Sequence, residues 1–264
     1  MADITEEKET STKTKSAAAE LEMPFLEHLE ELRRRLIKAL LGLVLAAVVC
    51  AFFADFIVTE IVLRPALGID RPMELINIVP YGQLVFYMEA VLFSALILGM
   101  PWILYQLWKF VEPGLYSKER KYISGIVGFT SLCFFLGVSF AYFILLPFML
   151  QFFAGFGSPD VENLIAINEY ATFILTMILV SGLIFELPMV SYVLARFGIL
   201  TPAFMRHYRR HAYVVILVLS ALITPTTDIF TMSVFSFPIV LLYEASIGIT
   251  AIAKRKRDES FEST

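Results

Sequence analysis

Charge is scarce in this chain. Charged residues make up 17% of its 264 positions and hydrophobic residues 58%, whereas a soluble domain carries about 25% charged residues. The mean hydropathy is +0.74. No long hydrophilic block remains in which a separate soluble domain would fit, so one membrane domain with polar tails is expected. Histidine is scarcer still. His28, His207 and His211 all lie at the expected cytoplasmic edge, so a Ser–His hydrolase working at membrane depth has no base available. There is no HExxH, no Walker A sequence and no pair of membrane aspartates. Enzyme activity is not expected, no cofactor or metal site can be read, and nothing suggests a nucleic-acid partner. The two cysteines, Cys50 and Cys133, sit inside apolar runs, where such residues pack as small hydrophobes.

What the chain does have is long apolar runs. Six are marked, at about 36–57, 84–108, 122–148, 170–196, 211–224 and 229–252. The expected fold class is an all-α integral membrane protein with six transmembrane helices and two short final spans. Residues 1–22 are polar and low in complexity and are expected to be a disordered tail. Residues 23–253 form the membrane domain and 254–264 a second tail. No early apolar run or cleavage site is seen, so the first run is expected to insert and stay. The fifth run, "HAYVVILVLSALIT", is short, reaching about 18–20 Å as a helix against a hydrocarbon core of about 30 Å. All Lys and Arg residues except Arg64 and Arg71 fall in alternate connections. That is the positive-inside pattern for six spans with both termini cytoplasmic, and its parity requires the fifth run to cross. Pro101, Pro147, Pro188 and Pro238 are expected to kink their helices.

Three places carry charge in positions that bear on function. In "PFLEHLEELRRRL" (24–36), Phe25, Leu29, Leu32 and Leu36 form an apolar stripe, with Glu27 and Glu31 on the opposite face. A solvated amphipathic helix with i, i+4 pairs such as Glu30–Arg34 accounts for the stretch without a ligand. In "WKFVEPGLYSKERKY" (108–122), Pro113-Gly114 signals a turn and Ser117 an N-cap, which puts Glu119 in a first helical turn; helix stabilisation alone explains it equally well. The third is Glu186 in "LIFELPM" (183–189), about 20 Å into the fourth run. A carboxylate there costs about 2.5–3.5 kcal/mol to insert and is by default a functional group. No Lys, Arg or His of the chain lies at similar depth. Its partner is therefore a neutral polar group, water, lipid or another subunit.

The ordered set "FLEHLEELRRRL", "PWILYQLWKFVEPGLYSKER", "FAYFILLPFML", "FELPMV", "GILTP" and "TPTTDIFTMSVFSFPIVLLYE" resembles the TatC family, the multispanning subunit of the twin-arginine protein translocase, from about residue 23 to 250. The resemblance implies a receptor in the bacterial cytoplasmic (inner) membrane. It would bind the twin-arginine signal peptides of folded cargo. It would work with TatA-like and TatB-like single-span proteins and other copies of itself, and use the proton-motive force. By the same resemblance, Glu31 and Glu119 match the acidic residues that read the arginine pair. Phe110 matches an aromatic beside them, and Glu30 is an added candidate. Glu186 matches a membrane glutamate in a polar patch where a partner helix docks. Where some members carry glutamine in span six, this chain has Met232, beside Thr231. Asp228 matches the acid of the outer turn. The alternative function is a proton-coupled small-solute transporter with Glu186 as relay; further titratable groups at depth would be limited to Glu89 and Glu244.

Overall fold

In hydrocarbon a backbone has no water to pair with, so a chain this apolar satisfies its amides locally, as α-helix. The computed structural model describes residues 3–69, 73–111, 123–156, 164–224 and 228–262. Its helices are α1 (Asp3–Phe52), α2 (Ala54–Phe56), α3 (Arg64–Leu67), α4 (Gly82–Val111), α5 (Ile123–Phe140), α6 (Leu146–Gly155), α7 (Ile167–Ile184), α8 (Leu187–Arg196), α9 (Pro202–His207), α10 (Arg209–Ile223) and α11 (Ile229–Glu262). Among the described residues, five helical stretches are long and apolar enough to cross a membrane. The fifth run of the sequence forms α10, only 15 residues, or about 22 Å at 1.5 Å per residue.

Helix α1 begins at Asp3 and is continuous with the first apolar run. Ala17–Ala19 with flanking Glu and Lys are strong helix formers, and extending an existing helix avoids the cost of nucleation. One expectation needs correction: the final span is not short. Of the 34 residues of α11, the stretch Ile229–Arg255 is long and apolar enough to cross a membrane.

The prolines act differently from one another. Pro101 and Pro238 lie inside uninterrupted helices. A π-helical segment, Ile57–Val62, comes before Pro65, and another, Ala141–Leu145, comes before Pro147. A proline lacks the N–H that its upstream turn needs, and widening to an i→i+5 turn re-pairs the backbone. Pro188 goes further and splits the fourth run into α7 and α8 at Phe185–Glu186.

The α7–α8 stretch forms the middle of the bundle: 56% of its most apolar window is buried, against 6% for α1. α1 packs on α4, α4 and α5 on α7, and α8 on α11. Glycine allows the α5–α7 contact. A Cβ on Gly137 would lie 2.7 Å from the Ser181 carbonyl, and one on Gly182 would lie 2.6 Å from the Phe134 ring. Small residues let spans approach this closely. Ser181 then donates to the Gly137 carbonyl at 3.1 Å.

One end of the bundle, the cap end, joins the two long connections. Strand β1 (Glu74–Ile76) pairs in parallel with β2 (Leu164–Ala166), Leu75 facing Ile165. Tyr170, 2% exposed, fixes the chain beneath. Its hydroxyl accepts from the Ala66 amide at 3.0 Å and donates to the Val62 carbonyl at 2.9 Å. Both partners sit where the π segment gives way to α3, so one side chain satisfies two buried backbone groups at an irregular turn. Tyr170→Phe removes both bonds and leaves the Ala66 amide only its 3.2 Å contact with the Leu63 carbonyl. It is expected to destabilise the protein by about 1–3 kcal/mol, seen as a lower thermal midpoint in detergent.

Candidate functional site

At the opposite end, α1 meets the last turns of α4. The apolar stripe of α1 faces away from the bundle, with Leu29, Leu32 and Leu36 all exposed. On the opposite face Glu31 reaches toward α4 through Arg35. Arg34 donates to Glu30 at 2.6 Å, and Arg35 to Glu31 at 3.1 Å. The first pair is exposed. The second is half-buried, with side chains 24% and 33% exposed. The other arm of Arg35 reaches the Gln106 side-chain oxygen on α4 at 3.5 Å. Gln106 is itself buried. Phe110, one turn further along, stacks on His28 with ring centroids 4.4 Å apart and planes 18° from parallel. Trp102 donates to the Lys38 carbonyl at 2.9 Å, clamping the two helices at their next contact. A cleft of about 470 Å³ opens here, lined by Glu30, Glu31, Arg34, Arg35 and Lys38.

Three of the four residues expected at this end, Glu30, Glu31 and Phe110, are thus brought onto one α1–α4 corner. Glu119 lies outside the described residues. Reading the sequence alone missed Gln106, Arg35 and His28. Gln106 carried a signal, since it is the one amide in the apolar "PWILYQLW". The cleft holds three cations against two carboxylates, so a cationic ligand must take the carboxylates over from Arg34 and Arg35. At the exposed Glu30–Arg34 pair water readily replaces either partner, whereas the half-buried Glu31–Arg35 pair is held more firmly.

The second site is Glu186. It stands at the break between α7 and α8, where its amide bonds the Leu183 carbonyl at 3.1 Å and its carbonyl takes the Val190 amide at 2.9 Å. The backbone is paired, but the side chain is not. The residue is 7% exposed, and neither carboxyl oxygen has a hydrogen-bond partner. Two other carboxylates within the spans are partnered. Glu89 accepts from Thr172 at 3.3 Å. Glu244 accepts from Arg209 at 2.6 Å and Tyr213 at 2.5 Å.

The residues expected beside Glu186 do not complete it. Thr231 is fully buried with its hydroxyl unpaired, and Met232 is half-buried. Asp228 has a local role: one carboxyl oxygen takes the Thr231 amide at 2.7 Å, capping the start of α11. Among the described residues, no group of His, Cys, Asp and Glu is arranged to hold a metal.

These features define a class: a helical, multispanning membrane protein with exchangeable carboxylate–guanidinium pairs at one corner and a carboxyl enclosed in its middle. Residues 27–238 match the family model described as Sec-independent protein translocase protein (TatC). The chain belongs to the TatC family. It is 36% identical to the Sec-independent protein translocase protein TatC of Aquifex aeolicus over 239 residues, covering 90% of this chain and 98% of that one. The TatC of Halalkalibacterium halodurans is 39% identical over 238 residues, covering 90% and 92%. Among solved structures, a twin-arginine translocase receptor TatC superposes with a TM-score of 0.78 at 35% identity, over 86% of this chain and 99% of that one.

A buried carboxyl without a partner is a cost to the isolated chain. Glu186→Leu is expected to raise the thermal midpoint of the isolated subunit in detergent, whereas replacing the paired Glu244 with Leu is expected to lower it.

Proposed function

We propose that this protein is the signal-peptide receptor of a twin-arginine translocase in the bacterial cytoplasmic membrane. In this reading it has six spans, with α10 as a short fifth one, and both termini are cytoplasmic. It binds the paired arginines of signal peptides on folded cargo and, with TatA-like and TatB-like partners and further copies of itself, exports that cargo using the proton-motive force. Family membership and the relatives' translocase names support the pathway. The basic residues gathered in alternate connections support the orientation.

The single observation that carries the receptor role is the α1–α4 corner. There Glu30 and Glu31 already hold guanidinium groups, at 2.6 and 3.1 Å. Carboxylates posed to receive Arg34 and Arg35 suit a second arginine pair, because the planar fork bonds both oxygens and lysine does not. Phe110, held by His28, offers a ring face next to them. Glu119 is assigned to the same task on the resemblance of its "LYSKER" segment. Glu186 is assigned to partner-helix docking, with Thr231 and Met232 alongside. Its carboxyl is hydrogen-bonded to nothing, so it turns toward an arriving polar group without breaking a bond.

The receptor assignment is tested by peptide binding to purified protein in detergent or nanodiscs. Glu31→Ala and Glu119→Ala are each expected to weaken binding of a twin-arginine peptide at least tenfold, since a hydrogen bond to a charged group is worth about 1.5–3 kcal/mol. Binding is also expected to fall as salt rises. Undiminished binding by both variants contradicts the assignment.

A further inference from the structure

Near the cap end, on the side of the bundle where α1, α4 and α5 meet, lies a cavity that neither proposed site uses. Its volume is about 450 Å³, within the range of small-molecule sites, about 300–1,000 Å³. Its floor is closed by Cys50, Val62, Leu175 and Ile178, each at most 5% exposed. Its rim is open: Leu98 is 53% and Phe143 72% exposed. The lining is almost wholly apolar, so water has few partners inside. A cavity of this kind on the flank of a membrane bundle opens sideways into hydrocarbon.

Its size limits the occupant. An α-helix ~10 Å across with a 5.4 Å pitch fills such a volume in about one turn. A partner helix therefore does not fit, but a single flexible chain does. Its mouth carries the complementary charge. Tyr142 lines the cavity and donates to the Ile61 carbonyl at 3.1 Å. Arg64 follows two residues after Val62, which lines the same cavity. Arg64 is 73% exposed, and its contact with Glu60 is 3.7 Å long, well beyond the ~2.7–2.9 Å of a charge-assisted bond. Its donors are thus free to serve a stronger acceptor. A phosphate fits, because arginine binds it through two parallel bonds.

We infer that this cavity is a phospholipid site, taking one acyl chain between α1, α4 and α5 with the phosphate held at Arg64. This inference does not depend on the signal-peptide reading. A lipid seated there fills the gap beneath the π segment Ile57–Val62 and supports the turn that Tyr170 ties down.

Photolabelling tests it. The protein is placed in nanodiscs of phosphatidylethanolamine and phosphatidylglycerol containing trace phosphatidylglycerol with an acyl-chain diazirine, and labelled residues are mapped by mass spectrometry. Labelling at Ile97, Val138 and Leu175 is expected to exceed that at Val214 and Val218, on the exposed face of α10, several-fold. Arg64→Gln is expected to cut the excess at least twofold. Glu60→Gln is expected to raise it, by freeing Arg64 from its competitor. Ser94→Phe, which fills the cavity, removes it. Both end-of-site variants change exposed side chains and leave the fold alone, so they decide the matter even if Ser94→Phe does not fold. Labelling no greater than at α10, labelling indifferent to Arg64→Gln, or crosslinks to a second protein chain from these positions would each overturn the inference.

Discussion

Every backbone polar group in the apolar part of this bundle has to be paired within the protein, and the rest of the structure follows from how that is done. Where the sequence permits, plain α-helix does it. Where prolines interrupt, the chain uses special devices. A widened turn comes before Pro65 and another before Pro147, and Tyr170 bonds two backbone groups at once where the first of them ends. At Pro188 the helix splits, yet the amides of Phe185 and Glu186 still find the Ser181 and Leu183 carbonyls. Protein encloses the break at Glu186, while the two π segments are buried on one side only.

Side chains are under no such obligation, and the two acidic sites differ in that respect. Glu30 and Glu31 sit at the bundle's edge, with partners that water can replace, so their pairs are weak and exchangeable. Glu186 is enclosed with no partner, in the most buried stretch of the chain. The first arrangement suits reversible recognition of a cationic ligand. The second leaves a carboxyl whose bonding is incomplete in the single chain. Glu89 and Glu244, both satisfied, show that the fold can partner a carboxylate within a span where it needs no outside one. They also weaken the relay alternative, since neither stands free beside Glu186.

Much of this was legible in the sequence because it is local. Apolar runs gave the helices, Pro188 gave the break, and i, i+4 spacing gave the Glu30–Arg34 pair. The isolation of Glu186 from any cation could be read from the distribution of Lys, Arg and His alone. What escaped depends on distant segments meeting. The strands at 74–76 and 164–166 are three residues each and exist only through each other. The Arg35–Gln106 contact joins residues 71 apart. The direction of the α1 stripe was also hidden, because an apolar face reads the same whether it meets protein or lipid. In a membrane protein Leu29, Leu32 and Leu36 can face outward while Glu31 is half-buried.

The account's central claim is that carboxylates at the α1–α4 corner and in the loop after α4 read an arginine pair. The most direct measurement is photocrosslinking from a probe placed at residue 119 to a signal peptide in native membranes, with a twin-lysine peptide as control. The account predicts a crosslink to the twin-arginine peptide that is strongly reduced for the twin-lysine one. Equal crosslinking of both, or none to either while the peptide still binds, would contradict it.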